Sequence, residues 1–89
     1  MQREPIRELL VEDDEEDFLF LRDLFSKVGG QRFRLHRVST YDAGLEAARR
    51  SHYDVYLLDY CLGEHNGLEL LRELDRDGRG VPVILLTAD

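Results

Sequence analysis

Two short apolar runs, each ending abruptly on a carboxylate, limit what this chain can fold into more than any other feature. Val55-Tyr56-Leu57-Leu58 stops at Asp59. Ile6 to Val11, carrying Ile6, Leu9, Leu10 and Val11, stops at Glu12-Asp13-Asp14. A continuous apolar run of this length, with β-forming residues in it and a Gly-rich turn region after it (Gly63 to Gly67), reads as a strand buried on both faces of a parallel sheet. The early part of the first run is polar, which points to a late start for that strand. Open α/β sheets gather their ligands at the carboxyl ends of their strands. If the two runs are parallel neighbours, their terminal acids converge on one small site.

The intervening stretches suit such a sheet. Phe18 to Val28 places Phe18, Leu21, Leu24, Phe25 and Val28 at spacings of three and four, the pattern of an amphipathic helix. Acids from Asp13 to Asp17 sit at its positive dipole end, and Gly29-Gly30 stops it. Phe33 to Val38 alternates Phe33 and Leu35 with Arg34 and His36, as a half-exposed edge strand does. Ser39 or Thr40 caps a second helix, Tyr41 to Arg50, and Ser39 with Asp42 fits the capping-box pattern. Its Ala43, Leu45, Ala47 and Ala48 allow a close approach to the sheet. After a loop from Tyr60 to Asn66, Gly67 to Asp75 reads as a third helix with Leu68, Leu71 and Leu74 on one face and Leu70 beside it. Asp77-Gly78-Arg79-Gly80 is a turn. Val81 to Thr87 is another buried-type strand, with Pro82 tolerated near its start. The order β-α-β-α-β-α-β predicts an α/β fold whose parallel strands are joined by right-handed crossovers. A strand as apolar as Val83 to Leu86 needs cover at an open edge.

Composition narrows the function classes. Eighty-nine residues make one domain at most, with thin stability, since so short a chain buries only a little over ~60% of its unfolded surface. A net charge of −7 opposes direct nucleic-acid binding, which demands a basic face. Arg32, Arg34 and Arg37 read as a solvated strand face. The single cysteine, Cys61, excludes an internal disulfide and a Cys-based zinc site, and fits a reducing, cytoplasmic setting. Met1 to Pro5 lacks the apolar core of a signal peptide, and no run approaches ~18 apolar residues, so no membrane role is expected. His36, His52 and His65 share no metal-ligand spacing and read as surface or loop residues.

The acids remain. Two carboxylates a few ångströms apart in a partly dry site repel by roughly 4 kcal/mol at an effective dielectric of ~20. A retained proton or a bound cation relieves that repulsion. Oxygen ligands without imidazole or thiolate favour Mg²⁺, which also accepts phosphate oxygens. A carboxylate nucleophile beside such an ion suits phosphoryl transfer through an aspartyl phosphate.

Four segments together carry a family resemblance: Leu10-Val11-Glu12-Asp13-Asp14, Asp54-Val55-Tyr56-Leu57-Leu58-Asp59, Asn66-Gly67-Leu68-Glu69-Leu70-Leu71 and Pro82-Val83-Ile84-Leu85-Leu86-Thr87-Ala88. In order and spacing they resemble the receiver domain of two-component response regulators, over essentially the whole chain. The resemblance implies a flavodoxin-like, doubly wound parallel sheet of strand order 2-1-3-4. It implies that residues 1–89 form a receiver domain truncated at its C-terminal side, lacking a final strand and the last two helices. It also implies roles: Asp59 as phosphoacceptor; Glu12, Asp13, Asp59 and the backbone carbonyl of Cys61 as Mg²⁺ ligands; Thr87 as the switch hydroxyl, with the Ala88 backbone N–H beside the phosphoryl group. The implied donor is a histidine kinase or phosphotransfer protein, and the chain is then a self-phosphorylating acceptor, at most a weak autophosphatase, and not an enzyme.

Two positions depart from the pattern. Gly63 stands where many receivers carry proline, and Lys27, the only lysine, lies in the first helix and does not match the receiver lysine of a later strand. The alternative function is a receiver-like interaction or dimerisation module independent of phosphorylation, associating with itself through the edge strand or the first helix, where Phe18, Leu21 or Phe25 would be partly bare. An aspartyl-nucleophile phosphatase of the haloacid-dehalogenase type needs an acid two residues after the nucleophile, and Cys61 holds that place.

Overall fold

The computed structural model describes residues 4–29 and 32–86. The elements run β1 (Ile6–Val11), α1 (Glu15–Gly29), β2 (Phe33–Val38), α2 (Tyr41–Arg50), β3 (Val55–Asp59), β4 (Cys61–Leu62), β5 (His65–Asn66), α3 (Gly67–Arg76) and β6 (Val83–Leu86). The main sheet is parallel throughout, in the order β2-β1-β3-β6. This is the expected 2-1-3-4 order. The fourth long strand is β6 because a small antiparallel hairpin, β4–β5, occupies what the sequence presents as a loop.

Alternation along each strand assigns the two faces. Leu9, Val11, Tyr56 and Leu58 turn to one side, where Ala48 of α2 and Leu70 and Leu74 of α3 complete a buried cluster. Leu9, Leu10, Val11, Leu58 and Leu70 are the largest side chains wholly removed from water. Each contributes roughly 1.5–3 kcal/mol relative to exposure. The other side is covered by α1: the Phe25 ring lies 5.3 Å from that of Phe33, and the Arg37 guanidinium lies 5.1 Å from the centre of the Phe18 ring. Helices on both faces make the sheet doubly wound.

Several boundaries and faces differ from expectation. β1 does not start late: Arg7 lies inside the ladder, its N–H donating to the Asp54 carboxylate at 2.8 Å and its carbonyl accepting from Asp54 N–H at 2.8 Å. Glu8 is consequently buried, at 3% exposure. α1 begins at Glu15, because Asp14 Oδ1 accepts from the backbone N–H groups of Glu16 and Asp17 at 2.8 and 3.2 Å and so caps the first turn.

On α1 the half-buried residues are Phe18, Leu21 and Phe25. Leu19, Phe20, Leu24 and Val28 are bare, the last three forming a stripe of spacing four, with Val28 75% exposed. Thr40, not Ser39, caps α2, accepting from Ala43 N–H at 3.1 Å. The buried face of α3 is Gly67, Leu70 and Leu74, while Leu68 is exposed. β6 starts at Val83, two residues later than expected, and has no strand on its outer side among the described residues, with Ile84 51% exposed. Arg34 and Arg37 do not share a face, since their odd spacing on β2 sends them to opposite sides of the sheet.

Candidate metal centre

The parallel pairing of β1 with β3 sets Val11 against Leu58, so the residues that follow, Glu12 and Asp59, emerge side by side. Carboxylate oxygens of Glu12, Asp13 and Asp59 all lie within 4.8 Å of one another. Glu12 is 3% exposed and Asp59 9%, whereas Asp13 faces solvent. One acid therefore opens the site to water while two are pressed into its floor.

The loop that presents Glu12 and Asp13 is held from several directions. Glu12 N–H donates to the Val38 carbonyl at 3.0 Å, and Glu12 Oε1 accepts from Asp14 N–H at 3.1 Å. Arg37 reaches over from β2, its Nε donating to the Glu12 carbonyl at 3.0 Å and an Nη to the Asp13 carbonyl at 3.4 Å. This contact was not legible in a strand read as solvated; Arg37 sits on the face of Leu10, and only the register shows it. On the β3 side, Gly67 opens α3 tightly against the strand end. A Cβ there would stand 2.6 Å from the Asp59 carbonyl oxygen and 2.7 Å from Leu85 Cδ2. Asn66 caps α3 in a capping box with Glu69, each side chain accepting from the other residue's backbone N–H. Between Asp59 and Asn66 the hairpin turns at Gly63, whose φ of +65° is closed to proline and suits the first position of a two-residue primed turn.

The electrostatics are those of acids short of a counter-charge. Burial pushes Glu12 from its ordinary 4.5 up to about 7, and repulsion from Asp59 and Asp17 adds to this, while the Asp14 N–H opposes it. Asp59 is also raised, by burial first, with N–H groups of Cys61 and Tyr60 partly offsetting the rise. The pair thus holds a proton more tightly than isolated carboxylates do, and a cation among the three oxygen ligands relieves the same strain. Three carboxylates without imidazole or thiolate suit a hard divalent ion. Cys61 stands two residues beyond Asp59 with its thiol exposed and unpaired. Thr87 and Ala88 lie outside the described residues. Among the described residues, His36, His52 and His65 are not part of the acidic cluster.

Residues 9–89 match the response regulator receiver domain family. The chain belongs to that family. Among curated receiver-containing relatives, the polar-differentiation response regulator DivK of Brucella ovis is 38% identical over 85 residues, covering 90% of this chain and 64% of its own length. The two-component response regulator PhoP of Pseudomonas aeruginosa is 32% identical over 80 residues, 90% of this chain and 35% of PhoP. The chain therefore spans about two thirds of one relative and about a third of the other.

Solved receivers agree in fold. The MaeR response regulator bound to beryllium trifluoride superposes with a TM-score of 0.84 at 28% identity, over 94% of this chain and 68% of that one. The receiver domain of the sensor histidine kinase PA1611 from Pseudomonas aeruginosa, with a magnesium ion coordinated in its active site cleft, gives 0.83 at 30% identity, over 96% of this chain and 69% of that one. As a receiver domain, the chain is a signalling module of two-component systems with an acidic cluster at its strand ends.

Proposed function

We propose that this receiver domain accepts a phosphoryl group on Asp59 from the phosphohistidine of a histidine kinase or phosphotransfer protein, with Mg²⁺ bound, and acts as a signalling switch. The observation that carries the reading is the meeting of Glu12, Asp13 and Asp59 within 4.8 Å at the ends of two adjacent parallel strands. The magnesium in the cleft of the related PA1611 receiver supports the choice of ion. Glu12, Asp13, Asp59 and the Cys61 carbonyl would hold it, and when bound it supplies positive charge to the incoming phosphoryl oxygens.

In the transfer a carboxylate oxygen of Asp59 forms a bond to phosphorus while the phosphorus–nitrogen bond of the donor breaks. The imidazole leaves with the electron pair. Glu12 and Asp13 flank the nucleophile as further oxygen ligands; Arg37 and the Asp14 N–H hold their loop in place. Thr87 is assigned to read the added charge and the Ala88 N–H to donate to the phosphoryl group, shifting an existing two-state equilibrium. One phosphoryl group is taken per chain, with weak self-hydrolysis at most, so the chain is an acceptor and not an enzyme. The single exposed cysteine fits a cytoplasmic site of action.

The test is intact mass after acetyl phosphate, with and without Mg²⁺. A phosphoryl adduct that needs Mg²⁺ and disappears in Asp59→Asn is expected; equal labelling of variant and parent overturns the assignment.

A second reading is favoured by the exposed stripe Phe20, Leu24 and Val28 on α1. Here the domain is an interaction module that self-associates through α1 or the β6 edge, independently of phosphorylation. A sedimentation mass that stays monomeric across concentration opposes this reading, and an absent response to millimolar Mg²⁺ opposes the first.

A further inference from the structure

A second concentration of charge, of the opposite sign, lies at the other end of the sheet. Pro5, Arg7, Phe33, Arg34, Leu35, His36 and Tyr53 line a cavity of about 540 Å³ at the amino ends of β1 and β2. Arg7 is five residues before Glu12 on β1, so this cavity stands about 16 Å along the strand from the acidic cluster. Arg7 and Arg34 are direct neighbours in the β1–β2 register and point to the same face. Like charges placed opposite each other across strands are destabilising.

Neither guanidinium has a carboxylate partner among the described residues, although acids outnumber bases 19 to 12 in the chain. The nearby acid, Asp54, is already committed: one oxygen accepts from Arg7 N–H at 2.8 Å and the other lies 3.5 Å from His52 Nε2. By contrast, Arg22, Arg49, Arg50 and Arg76 are all paired with acids.

Arg7 sits over an ordered base. Arg7 lies 5.3 Å from the centre of the Tyr53 ring, and Tyr53, 2% exposed, has its hydroxyl 2.5 Å from His36 Nδ1. Two planar forks and a ring nitrogen, with no acid among them, form a set of donors for an oxyanion. A carboxylate is satisfied by one fork. Two forks and an imidazole match the three terminal oxygens and double charge of a phosphomonoester. The volume admits a body the size of a nucleoside, within the usual range for small-molecule sites.

We propose that this cavity binds a phosphomonoester dianion between Arg7 and Arg34, at a site separate from Asp59. The source is either inorganic phosphate or the phosphate of a nucleotide-sized molecule. Backbone amide NMR in EDTA, without Mg²⁺, separates these in titrations with sodium phosphate, with adenosine monophosphate and with acetate at matched ionic strength. Saturating shifts confined to Arg7, Arg34, His36 and Tyr53 are expected with phosphate and the nucleotide. Tighter binding of the nucleotide assigns a role to the cavity wall, and equal binding assigns the site to phosphate alone. Arg34→Gln is expected to weaken binding about tenfold or more, as loss of a charged hydrogen bond does, with Arg34→Lys intermediate. Acetate binding as tightly as phosphate, non-saturating shifts, or unchanged affinity in Arg34→Gln with the other amides in place overturns the proposal.

Discussion

Glu8 offers the sharpest test of the energetics. Its side chain is 3% exposed on the α1 face of β1, and its Oε1 has no hydrogen-bond partner. Burial raises it from an ordinary 4.5 to about 7. An acid whose pKa is higher folded than unfolded costs stability as pH rises. Between 4.5 and 7 the unfolded chain releases a proton that the folded chain retains, and above 7 the folded state carries a buried charge. By linkage the full loss is about 3 kcal/mol, of which about 2.5 kcal/mol falls between pH 5 and pH 8.

Glu8→Gln abolishes this titration and keeps the size. Urea unfolding of parent and variant at pH 5 and pH 8, in EDTA, reads the difference directly. With a slope of about 1–2 kcal/mol per molar urea, the gap between their midpoints should widen by about 1.3–2.5 M from pH 5 to pH 8, in favour of the variant. Glu12 titrates with the same sign in both proteins and cancels in the comparison. If the two proteins lose stability in parallel across this range, Glu8 ionises freely and its burial in the fold is wrong.

The acidic cluster predicts a pH-dependent cation response: with Glu12 at about 7, apparent Mg²⁺ affinity should be about tenfold weaker at pH 6 than at pH 8, measured by thermal shift, and Glu12→Gln should flatten that dependence. Gly67→Ala should destabilise by about 1–3 kcal/mol in urea unfolding, because its Cβ would meet backbone at the Asp59 carbonyl and has no flexible neighbour to displace there. Asn66→Ala should cost about 1 kcal/mol by the same measurement, since it removes the acceptor for Glu69 N–H.

The sequence alone determined the four long strands and their parallel sense, because short apolar runs separated by amphipathic helical stretches call for crossover connections, while their order came from the resemblance to receiver domains. It also determined that acids end two of those strands. What it lacked was distance. Only the register of Val11 with Leu58 brings Glu12 beside Asp59, and only the packing turns Arg37 onto the acidic loop while Arg34 faces the opposite side beside Arg7. The hairpin β4–β5 was hidden because two-residue strands leave no periodic pattern. Glu8 was hidden because a glutamate near a strand's start reads as polar until the tertiary fold removes it from water. Local pattern specifies which elements form; the fate of each polar side chain depends on neighbours distant in sequence, and those exist only once the chain has folded.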